Sequence, residues 1–86
     1  MIIINTVYTF KDFIIDLSNR REFDIIVYNE KYGISWFGGG KISFAKYGDQ
    51  SFLQYFDSID DFRQNARINN NLLSMIWEDV EVDVMY

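Results

Sequence analysis

ISWFGGGKISF, residues 34–44, decides how the chain folds. Three glycines followed by a lysine invite comparison with a phosphate-cradling loop. A P-loop needs G-x-x-x-x-G-K-[ST] between a strand and a helix. Here Ile42 stands where Ser or Thr should be, and the first glycine of that spacing is missing. A dinucleotide G-x-G-x-x-G pattern fails as well. The flanks alternate instead. Ile34 and Trp36 share one side of 34–37, and Ile42 and Phe44 share one side of 41–46, which is period two. Gly38–Gly40 therefore reads as a hairpin turn between two antiparallel strands.

The remaining elements follow outward from that hairpin. FDIIVYN (23–29) is β-branched and predicts a strand before it; SFLQYF (51–56) predicts one after it. Lys-Tyr-Gly occurs at 31–33 and again at 46–48, and is expected to serve as the same glycine turn twice. Thr9 and Asp12 have the spacing of a capping box. Phe10, Phe13, Ile14 and Leu17 then fall on one helical face, giving a helix over 10–19. Residues 2–8 are expected to be a short strand or extended arm. Ser58 and Asp61 open a second helix whose buried stripe is Ile59, Phe62 and Ala66, and INNN (68–71) breaks it. NLLSMIWED (71–79) predicts a third helix through Leu72, Leu73, Ile76 and Val80. VEVDVMY (80–86) alternates and predicts an edge strand, with Val80, Val82, Val84 and Tyr86 on one side and Glu81, Asp83 and Met85 on the other. The expected fold is α+β: one domain over 1–86, a mostly antiparallel meander with three short helices packed on one face.

Composition excludes several kinds of chemistry. The 86 residues contain no histidine, cysteine or proline, so an ordinary zinc or iron site and a Ser-His-Asp or Cys-His arrangement are excluded. No cofactor is expected. A calcium loop of the D-x-[DN]-x-[DN]-G type is missing. Met1–Ile4 is apolar but brief and has no basic lead, so neither a secretory leader nor a membrane span is expected, and the expected location is the cytosol. Aromatics make up 19% of the chain, more than so small a body can cover, which predicts an exposed aromatic patch.

Charge is unevenly placed. Basic and acidic residues balance over 1–56, whereas 57–86 sets Arg63 and Arg67 against seven carboxylates. The whole net charge of −5 therefore lies in the last third. Direct nucleic-acid binding is disfavoured, because phosphate contacts need clustered Lys and Arg. Asp57, Asp60 and Asp61 stand at a helix N-terminus, where carboxylates are stabilising without further purpose. Glu78 and Asp79 stand where the third helix should end, where negative charge opposes the dipole. Glu81 and Asp83 continue the run along the last strand.

These residues define the candidate site: Glu78, Asp79, Glu81 and Asp83, with Trp77 as an apolar anchor, and Asp57, Asp60 and Asp61 as a second acidic group. The expected role is a non-enzymatic module that binds the basic surface of a host protein. In size, charge and lack of cysteine the chain resembles phage-encoded inhibitors of bacterial defence, of the anti-CRISPR and DNA-mimic anti-restriction kinds. That resemblance implies a nucleic-acid-binding protein as the partner. Two alternatives stay open: a toxin-neutralising immunity-type protein, and a structural protein that forms homodimers through its exposed aromatics.

Overall fold

A computed structural model describes residues 7–86. The arm expected over 2–8 falls almost wholly outside the described residues. Helix α1 (Phe10–Ser18) is followed by strands β1 (Phe23–Val27), β2 (Glu30–Phe37), β3 (Lys41–Lys46) and β4 (Asp49–Phe56). Then come helix α2 (Ile59–Asn65), a small hairpin of β5 (Arg67–Ile68) and β6 (Asn71–Leu72), a 3-10 turn at Trp77–Asp79, and β7 (Val80–Met85). The main sheet is antiparallel, in the order β4-β3-β2-β1-β7. The class is thus α+β, with two α-helices among the described residues rather than three. No described helix is long and apolar enough to cross a membrane.

The glycine stretch is a hairpin turn. Phe37 pairs with Lys41, and Gly38 and Gly39 take left-handed φ values of 55° and 80°. Lys41 opens a strand, not a helix. The repeated Lys-Tyr-Gly is used as a turn only once. Gly48 (φ 77°) turns β3 into β4, but Gly33 lies inside β2 opposite Asp24. The β1–β2 turn is instead Tyr28-Asn29, both left-handed (φ 51° and 64°), as a type I′ connection requires.

Both capping predictions hold. Thr9 Oγ1 accepts from the Asp12 amide at 3.0 Å while the Asp12 carboxylate accepts from the Thr9 amide at 3.1 Å. Ser58 accepts from the Asp61 amide at 3.1 Å. Phe13 and Leu17 of α1 and Phe62 of α2 are buried against one sheet face, over Phe23, Ile25, Val27, Ile34, Ile42 and Phe44. Phe13 is at the centre. Its ring stands 4.8 Å from Phe23, 6.0 Å from Phe62 and 4.7 Å from Trp77, on which it stacks.

Two indoles hold α1 to the sheet side. Trp36 Nε1 donates to the Leu17 carbonyl at 3.0 Å, near the helix C-terminus. Trp77 Nε1 donates to the Tyr8 carbonyl at 2.8 Å, just before its N-terminus. The Arg20 guanidinium lies 4.3 Å from the Trp36 ring.

The third helix is not formed. Asn69 and Asn70 take left-handed φ values of 52° and 66°, closing the β5–β6 hairpin, and the Leu73 amide donates back to the Ala66 carbonyl at 2.8 Å. Asparagine tolerates that conformation better than most residues. The segment then makes single turns, with the Ile76 amide on the Leu72 carbonyl and the Asp79 amide on that of Ile76. Leu73, Ile76 and Val80 still pack on the core, so the apolar spacing is used without a continuous helix.

The alternation of β7 is also broken. Asp24 pairs with Val84 but Ile25 pairs with Val82, which leaves Asp83 as a bulge. Beyond it the sides exchange. Val84, opposite Asp24, faces away from the helices, while Met85 joins Tyr8, Trp77, Val80 and Val82 around one concavity.

Candidate functional site

The sheet order separates the predicted acidic residues into two groups. Asp57, Asp60 and Asp61 follow β4 at one edge; Glu78, Asp79, Glu81 and Asp83 lie on or before β7 at the other. Four strand spacings, about 19 Å, intervene. The seven carboxylates therefore do not form one continuous surface.

The first group is occupied locally. Asp60 pairs with Arg63 at 2.6 Å and accepts from Gln64 at 2.9 Å. Asp61 accepts from the Asp57 amide at 3.0 Å and from Asn65 at 2.7 Å. Only the Asp57 carboxylate has no protein partner among the described contacts of this group. Capping and i,i+3 or i,i+4 contacts account for the other two.

The second group is more open. Glu78 and Glu81 are exposed and have no cation within ion-pair distance among the described residues. Asp79 accepts from Tyr28 Oη at 3.0 Å, a bond that raises the Tyr28 pKa. Glu78 and Asp79 belong to the first turn of a three-residue 3-10 segment, so the expected conflict with a helix C-terminus does not arise. Asp83 is answered by Lys31, 3.4 Å away. Trp77 is largely taken up by Phe13 and the Tyr8 carbonyl, which leaves only part of its ring for contact. Beside this group, Tyr8, Trp77, Val80, Val82 and Met85 line a shallow apolar concavity of about 360 Å³.

Sequence reasoning missed Asp24. Its side chain is only 5% exposed, yet it lies on the face away from the helices. It accepts from Tyr47 Oη at 2.7 Å and Tyr86 Oη at 2.6 Å, with Lys31 Nζ 3.8 Å away. Lys31 thus bridges Asp24 and Asp83, which ties β1, β2 and β7 together. The only available signal was a lone carboxylate at the outward position of FDIIV. The hydrogen bonds to Asp24 push the Tyr86 phenol up to about 12 and raise Tyr47 as well. The bonds from Tyr47 and Tyr86 to Asp24, with Lys31 between Asp24 and Asp83, clamp the last strand to β1 and β2. Among the described residues no group of three or more carboxylates converges to hold a metal ion.

No protein family, curated protein or solved structure matches the chain.

Proposed function

We propose that the protein is a non-enzymatic binding module that offers the Glu78–Glu81 end of β7 to a basic surface on a partner protein. The observation that supports this is the pair of exposed carboxylates, Glu78 and Glu81, without a cation of their own among the described residues, next to the Tyr8–Trp77–Met85 concavity. Exposed charge steers encounter and sets the partner's sign; the apolar concavity beside it slows release. In its narrower form, the partner surface is the nucleic-acid site of a bacterial defence protein, with these carboxylates in place of phosphates. Glu78 and Glu81, with Asp79 between them, would imitate a short run of backbone and not a whole duplex.

The test is capture of a partner from bacterial lysate by the native chain and by a variant carrying Glu78→Lys, Asp79→Lys and Glu81→Lys. Affinity is expected to fall about tenfold or more on reversal, and native capture to weaken as salt rises. Equal capture by both forms overturns the reading. Competition by an oligonucleotide for the captured partner separates the narrower form from the broader one.

A further inference from the structure

The two edges of the sheet are built differently. β7 carries Glu81, Asp83 and a bulge, devices that discourage strand pairing. β4 has no charged residue between Asp49 and Asp57. Its pairing with β3 is irregular next to the turn, where Lys46 meets Asp49 and Ala45 meets Leu53, but it is regular over Leu53–Phe56. No backbone–backbone hydrogen bond joins the outer side of β4 to another described segment; the Gln54 side chain, on the helix face, donates to the Arg67 carbonyl at 2.8 Å and accepts from the Arg67 amide at 3.2 Å. On the face away from the helices, Leu53 is 47% and Tyr55 63% exposed, and Phe37 stands edge-on to Tyr55 at 5.4 Å. These three residues, with Lys41, Ser43 and Asp57, border an open concavity of about 560 Å³.

We infer that β4 pairs antiparallel with β4 of a second copy of this chain, about a two-fold axis at Gln54. Two-fold symmetry makes the pairing isologous and antiparallel. The regular segment Leu53–Phe56 and the need to keep outward residues opposite outward residues favour this register. It sets Leu53 against Tyr55 of the second copy, an aliphatic–aromatic cross-strand pair made twice. A register centred on Leu53 would instead oppose Asp49 and Asp57.

Charge selects the occupant. Each chain carries −5, and the exposed carboxylates Glu78 and Glu81 lie at the far edge. Pairing through β4 keeps the two β7 edges at opposite ends of a ten-stranded sheet. Pairing through β7 would press Glu81 and Asp83 against like charge. The strand itself offers no charged side chain to a foreign strand over Gln50–Phe56. The contact is small, so association is expected to be weak.

Sedimentation of the full chain from micromolar to millimolar concentration tests this. The mass is expected to rise towards twice the 10.3 kDa of one chain, and the dimer to tighten as salt screens the repulsion. The double variant Leu53→Lys, Tyr55→Lys alters two exposed side chains and is expected to stay folded, by circular dichroism, and monomeric. Because the chain has no cysteine, Gln54→Cys should cross-link to its own copy on oxidation, whereas Glu81→Cys should not. A monomer at every concentration overturns the inference. So does a dimer that survives the double lysine variant, or one that cross-links through position 81 and not 54.

Discussion

Phe13→Ala is expected to destabilise the protein by about 3–5 kcal/mol, the range for removing a buried aromatic ring. Phe13 is fully buried and touches the rings of Phe23, Phe62 and Trp77, which come from the sheet, α2 and the segment before β7. No neighbour can close the gap without leaving its own contacts. A domain of this length has a total stability on the order of 4–13 kcal/mol, so much of it would be lost. Thermal unfolding should move down by roughly 15–30 °C. Ile15→Ala, on the exposed side of the same helix, should stay within about 0.5 kcal/mol of the parent. A loss below about 1 kcal/mol for Phe13→Ala would contradict the seating of α1 described above.

The second large effect belongs to Asp24. Asp24→Ala removes the shared acceptor of Tyr47 and Tyr86 and one of the two carboxylates facing Lys31. Hydrogen bonds to a charged acceptor contribute about 1.5–3 kcal/mol each, and two exposed phenols bring these towards the lower end, so a total near 3 kcal/mol is expected. A urea midpoint lowered at unchanged slope is the measurement. The same cluster gives a pH signature. The Tyr86 phenol titrates at about 12 when folded, against 10.0 for a free phenol. Its contribution is complete below pH 10 and is lost as pH rises through about 12. Tyr47 and Tyr28 are shifted in the same direction. Stability should therefore fall on the alkaline side, and Tyr86→Phe should flatten that fall; an unchanged alkaline profile in Tyr86→Phe would show that the bond to Asp24 does not form in solution.

What the sequence disclosed was local. Thr9 with Asp12, Ser58 with Asp61, and the glycines between two alternating strands each carry their outcome in a few adjacent residues. What it hid depended on the rest of the molecule. The apolar spacing Leu73, Ile76, Val80 suits a helix, but Asn69-Asn70 turns the chain back first, and the core accepts the same side chains from separate turns. The bulge at Asp83 depends on which residue of β1 lies opposite, which no pattern within VEVDVMY records. The candidate site was legible as composition but not as place. Seven carboxylates in the last third are plain in the sequence; that β4 and β7 take opposite edges, and that Lys31 answers Asp83, are properties of the sheet order.

The two indole clips give the molecule a built-in optical gauge. Trp36 and Trp77 are the only tryptophans, and each is bonded to a carbonyl beside a different end of α1. Fluorescence therefore reads the lifting of that helix, and replacing either indole with phenylalanine would let each end be followed separately. If the C-terminal end frays while the N-terminal end stays seated, the two emission changes would part in temperature; if the helix leaves as one body, they would coincide.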